Sequence, residues 1–131
     1  MKITNFAIFN SIESLNKLAL MKFPVKTGFT IIKAIKKLDE LNSLINKKRE
    51  EIVNQYALRD ANGQPIKSKD ASGNDVENTI QINNMTGFNT DMAELMNYSN
   101  DVEITPIKIS DVADHVVELS VLAKLEWLFE E

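Results

Sequence analysis

Isoleucine and leucine recur every seven residues at Ile31, Leu38, Ile45 and Ile52, and Ala34, Ile35 and Leu41 fill the adjacent stripe. Apolar groups at that interval fall on one side of an α-helix, because two helical turns take up about seven residues. The pattern predicts one amphipathic helix from Phe29 to about Leu58, roughly thirty residues in a chain of 131. Near its end Lys48 and Gln55 stand where a heptad seam needs apolar side chains. The helix is therefore expected to pack on the chain's own core rather than to form a two-stranded coiled coil throughout, although its distal end is long enough to meet a partner.

The other elements must be arranged around that rod. Lys2 to Phe9, K-I-T-N-F-A-I-F, is rich in isoleucine and phenylalanine without a helical period, and predicts a strand covered in part on both faces. Ile12, Leu15, Leu18 and Ala19 predict a short helix from Ser11 to Met21, broken by Pro24. Thr27 is the expected cap of the long helix. Farther on, Phe88, Met92, Leu95 and Met96 predict a shorter helix with Asp91 and Glu94 in its first turn. From Val102 the sequence alternates up to Thr105 and shifts phase after Pro106, as a strand with a bulge or at a sheet edge does. Val121, Leu122, Leu125, Leu128 and Phe129 make one face of a terminal helix, with Trp127 on its flank.

The expected fold is α+β: a small mixed sheet or paired strands, one long amphipathic helix, two to three shorter helices and a polar β-hairpin excursion. A single domain over 1–131 is expected, with 59–87 as a hairpin or mobile loop within it.

That excursion says nearly the same thing twice, Asp60-Ala-Asn-Gly and, ten residues on, Asp70-Ala-Ser-Gly. Asn62-Gly63 and Ser72-Gly73 tolerate positive φ, and Asp60 and Asp70 can accept from amides two residues on, so two tight turns in succession are expected. Thr79 to Ile82 offers a short alternating strand. A calcium loop would need oxygen ligands at positions 1, 3 and 5, a glycine at 6 and a carboxylate at 12. Counting from Asp70 puts Asp75 at 6 and Gln81 at 12, and counting from Asp60 puts Pro65 and Ala71 there. Neither register completes a site, and no G-x-x-x-x-G-K-[ST] phosphate loop exists.

Composition narrows the chemistry further. There is no cysteine, which excludes disulfides, thiolate metal sites and a cysteine nucleophile. No apolar run approaches the roughly 20 residues that cross a bilayer, and no signal peptide opens the sequence, so a cytosolic protein is expected. The lone histidine, His115, has Ser110, Asp111 and Asp114 as sequence neighbours, and adjacent residues rarely achieve triad geometry. A surface or partly packed histidine is the expectation. Met85, Met92 and Met96 suit either an adaptable surface or core filling. No cofactor, no metal and no catalytic residue are expected, and the chain reads as a non-enzyme.

Charge is unevenly spread under a net value of −4. Lys22 to Arg49 carries eight basic residues against Asp39 and Glu40, whereas Asn89 to Glu131 carries ten acids against Lys108 and Lys124. Such halves can pack on each other, on a second copy or on a partner. Nucleic acid is not expected, since the basic stretch offers only Phe23 and Phe29 and no interleaved stacking aromatics.

The K-I-T-N-F-A-I-F stretch, F-P-V-K-T-G-F-T-I-I-K-A-I-K-K-L, the A-L-R-D-A-N-G-Q-P-I turn, F-N-T-D-M-A-E-L-M leading into V-E-I-T-P-I-K-I, and the closing L-A-K-L-E-W-L-F-E-E together resemble small uncharacterised proteins of tailed phages and prophages of Gram-positive bacteria. The resemblance covers almost the whole chain through element order and turn signals and brings no catalytic residues with it. It implies a phage protein in the bacterial host cytoplasm, with a role in particle assembly or in handling a host or defence protein. The expected function is thus non-catalytic protein–protein interaction or self-association, through Lys47, Lys48, Arg49, Tyr56 and Arg59 on the distal helix and loop and through Trp127 and Phe129 at the end of the chain. The alternative is an oligomeric protein that sequesters a small molecule or nucleotide, its lysines gathering phosphates.

Overall fold

The computed structural model describes residues 1–77 and 79–131. Its elements run β1 (Lys2–Thr4), α1 (Asn5–Ala19), α2 (Val25–Tyr56), α3 (Met85–Asn97), β2 (Ser99–Asp101), β3 (Ile107–Lys108), α4 (Ile109–Val112), α5 (Leu119–Lys124), a 3-10 turn (Glu126–Leu128) and β4 (Phe129–Glu130). The protein is α+β with helices dominant: five α-helices, one of them long, and two sheets of two strands among the described residues. No helix there is long and apolar enough to cross a membrane. The chain's contacts gather into two compact units, residues 1–45 with 96–131, and residues 46–95.

The heptad stripe does what its spacing requires. Ile31, Ala34, Leu38 and Ile45 are buried in the core of the first unit, and Ile52 is buried in the second. Helix α2 spans 32 residues but begins earlier than the apolar pattern does. The Gly28 amide donates to the Pro24 carbonyl at 2.9 Å, so Pro24 stands immediately ahead of the helix, where its missing amide costs nothing. Thr27 is therefore not a cap; it lies inside the first turn and is buried.

The first unit corrects the opening strand. Pairing stops at Thr4, whose backbone is extended and whose Oγ1 accepts from the Ala7 amide at 3.1 Å, starting a helix at Asn5. A threonine that caps its third following amide turns the chain into a helix whatever the β-propensity of the residues after it. Asn5, Ile8, Ser11, Leu15 and Leu18 then face inward at spacings of three and four, while Phe6 and Phe9 remain exposed. The missing helical period over Lys2–Phe9 came from those two outward phenylalanines. Strand β1 pairs antiparallel with β2, Ile3 opposite Asn100. The buried Asn5 side chain is satisfied by the Asn100 amide, which donates to its Oδ1 at 2.7 Å.

Residues 102–105 keep the alternation in burial, with Val102 buried and Glu103 exposed, but belong to no strand. Only Ile107 and Lys108 pair, parallel to Phe129 and Glu130. The expected terminal helix stops at Lys124. Leu125, at φ −111° and ψ 16°, leaves helical geometry, and a single 3-10 turn carries the chain into β4. Leu125 and Leu128 are fully buried on either side of that break. Leu125, Leu128 and Phe129 thus reach the core from a turn and a strand as well as they would from one helical face. Ser11 ties this segment to α1: it donates to the Ala7 carbonyl at 2.5 Å and accepts from the Trp127 indole N–H at 2.9 Å.

In the second unit, Leu58, Ile66 and Gln81 join in a closed set of backbone bonds. Ile66 N donates to Leu58 O at 2.8 Å, Gln81 N to Ile66 O at 2.7 Å, and Leu58 N to Gln81 O at 2.9 Å. The predicted strand at 79–82 is reduced to one bridge, Ile82 with Ala57. The sequence repeat becomes two hairpins of one design. Asp60 Oδ1 accepts from the Asn62 and Gln64 amides at 2.9 and 3.0 Å, and Asp70 Oδ1 accepts from Ser72 and Asn74 at the same distances. Gly63 and Gly73 take φ of 79° and 83°, the left-handed region that a Cβ disfavours. Helix α3 starts at Met85 after Asn84, whose Oδ1 accepts from Gly87. Asp91 accordingly sits in the second turn, not the first.

Candidate interaction surface

The residues expected to meet a partner fall into three settings. Lys47 and Lys48 are exposed on α2, with Lys48 3.3 Å from Glu51. Arg49 is half-buried and donates to Asn46 Oδ1 at 3.4 Å, and Arg59 folds over the first hairpin to bond the Gly63 carbonyl at 2.9 Å. Tyr56 is held by Asp91, which accepts its hydroxyl at 2.6 Å, and by the edge of Phe88. The hydrogen bond to Asp91, with the negative charge behind it, holds the Tyr56 phenol above its ordinary ionisation range. Trp127 and Phe129 are half-buried and pack against the core of the first unit, and Trp127 is anchored to Ser11. The first five of these belong to the second unit, and Trp127 and Phe129 to the first.

Arg49 does line a hollow of about 570 Å³ in the second unit, with Asn46, Glu50, Val53, Asn54 and Ile80. Glu50 places a carboxylate beside the cation, which opposes a phosphate as much as Arg49 favours it. The hairpins present no open anion or cation cradle either, since each aspartate accepts the amides of its own turn. In the second hairpin Lys69 pairs with Asp75, holding that carboxyl below its ordinary range.

The first unit, in contrast, leaves large apolar side chains in water. Val116 is 96% exposed, Leu20 86%, Leu119 83% and Phe29 59%. Single exposed leucines need no explanation, but several rimming shallow grooves do. Leu20 borders a groove with Phe9, Ile12 and Ala19, and a second with Met21, Val116, Val117 and Val121. A third, of about 410 Å³, is lined by Met21, Lys22, Phe23, Gly28, Ile31 and Ile32. Helix α2 creates its open face through Val25, Phe29 and Ile32, which sit at i, i+4 and i+7 beside the buried stripe.

His115 sits against this region. Its Nε2–H donates to the Lys22 carbonyl at 2.5 Å and its ring lies 4.3 Å from that of Phe23, while Nδ1 is buried without a partner among the described residues. It is a partly packed histidine that pins Asp111–Leu119 to the segment joining α1 to α2. It also lines a hollow of about 410 Å³ with Ile109, Val112, Leu122 and Phe129. The sequence carried a signal for the open face: Phe29 and Ile32 lie off the heptad stripe, and a helix apolar beyond one stripe has more to bury than one core.

Fold and surface together define a small, helix-rich α+β protein with an apolar, grooved face. Compared with protein-family models, curated proteins and solved structures, the chain has no match.

Proposed function

We propose that this is a non-catalytic protein that works by binding another polypeptide through the grooved face of its first unit. The observation that carries this is that Leu20 and Val116, both nearly fully exposed, line one groove that an inserted side chain could fill, with the exposed Leu119 three residues on from Val116. Burying a leucine or valine there recovers about 1.5–3 kcal/mol each, the usual source of affinity in protein association. The likeness to small proteins of tailed phages and prophages gives the setting: a bacterial host cytoplasm, and a partner that is a phage component, a host or defence protein, or the chain itself.

The test is site-specific photo-crosslinking in cells producing the protein, with the reactive side chain at Leu20 or Val116 and at the exposed Glu103 as control. Discrete adducts at the first two positions and none at Glu103 are expected. Equal or absent adducts at all three would overturn the reading.

A further inference from the structure

Gly28 has no evident use within the chain. Its φ is not in the left-handed region, and a Cβ built on it meets no heavy atom within 4 Å. A glycine inside a helix costs about 1 kcal/mol relative to alanine. What the missing side chain does provide is space, because Gly28 lines the groove of Met21, Phe23, Ile31 and Ile32. Lys22 lines that groove and Lys36 follows Ile32 by one helical turn, and among the described residues neither ammonium group takes part in an ion pair.

The same unit displays the complement. Val116 and Leu119 stand in water, flanked by Asp111, Asp114 and Glu118, all exposed and likewise in no ion pair among the described residues. The acidic apolar stretch and the basic groove are neighbours: Met21 borders both the groove and the hollow holding Val116, and His115 bonds Lys22. Two complementary patches side by side on one surface can satisfy each other reciprocally across a two-fold axis between two copies.

We propose that the partner of this face is a second copy of the chain, in a two-fold dimer in which Val116 and Leu119 of each copy enter the Gly28 groove of the other, with Asp114 and Glu118 against its Lys22 and Lys36. This rests on the reading that the first unit binds a polypeptide, and it names that polypeptide.

Light scattering coupled to size exclusion tests it on the full chain over a range of concentrations. The wild type is expected at twice its 14.8 kDa. Gly28→Leu fills the groove with a better helix former, and should yield a folded monomer by circular dichroism. The pair Lys22→Glu/Lys36→Glu and the pair Asp114→Lys/Glu118→Lys should each raise the dimer dissociation constant about tenfold or more, because like charges then face each other. Mixing the two charge-reversed proteins should restore a dimer, since both halves of the mixed interface regain opposite charges. A monomeric wild type, or a dimer indifferent to all three changes, overturns the proposal. If the wild type is monomeric while Leu20 and Val116 still crosslink to a different protein, the dimer fails and the binding function stands.

Discussion

Ser11 illustrates how much one small polar residue can decide. It is fully buried, yet its hydroxyl donates to the Ala7 carbonyl and accepts from the Trp127 indole, and Lys124 O lies within 3.3 Å as well. Removing it leaves a half-buried indole N–H without an acceptor, and an orphaned donor costs about 1–3 kcal/mol. Removing the donor instead leaves Ser11 still bonded to a carbonyl. Ser11→Ala should therefore lose about 1–3 kcal/mol in urea denaturation and shift the emission of the chain's one tryptophan. Trp127→Phe should lose less in hydrogen bonding, its cost coming from the smaller ring. Equal stability of Ser11→Ala and wild type would mean that this node does not anchor the end of the chain. Nothing in the sequence singled out Ser11 beyond its place at the start of an expected helix, because its partner lies 116 residues away.

At the level of elements, boundaries were set by caps and breaks rather than by propensity. Thr4 ends β1 and begins α1 with one side-chain bond. Thr4→Ala should destabilise the protein by about 1 kcal/mol and fray the first turn of α1, whereas Thr4→Ser, which keeps the acceptor, should stay near wild type. Amide hydrogen exchange at Phe6 and Ala7 reads this directly; unchanged protection in Thr4→Ala would dismiss the cap. The hairpin repeat was legible for the same local reason. An aspartate that accepts amides two and four residues ahead, followed by a glycine at positive φ, needs no distant partner, so Asp60–Gly63 and Asp70–Gly73 could be read directly from their residues. The closing helix could not, because its break at Leu125 depends on the parallel pairing of Phe129 with Ile107.

On the scale of the whole molecule, core and open face are distinguished by what apolar residues touch. Leu20, Val116 and Leu119 leave most of their surface in water. The triple change to glutamine should leave the denaturation midpoint within about 0.5 kcal/mol of wild type, as surface substitutions do, while lowering the binding of a hydrophobic dye. A large loss of stability would show that these side chains support the fold. Charge asymmetry belongs to this scale too. The basic stretch from Lys22 and the acidic stretch from Asn89 both contribute to the first unit, yet the lysines around Gly28 and the acids around Val116 form no ion pairs among the described residues.

By itself the sequence determined the long helix, the twin turns and the dominance of local α structure, because heptad spacing and turn chemistry act over a few residues and need no tertiary partner. Only the tertiary structure decided how the terminal segment leaves its helix, and that Trp127 and Phe129 face the core while Leu20, Val116 and Leu119 face water. Those outcomes depend on which distant groups compete for the same core volume. Apolar character in a sequence states that a side chain will seek burial; packing decides which ones find it within the chain.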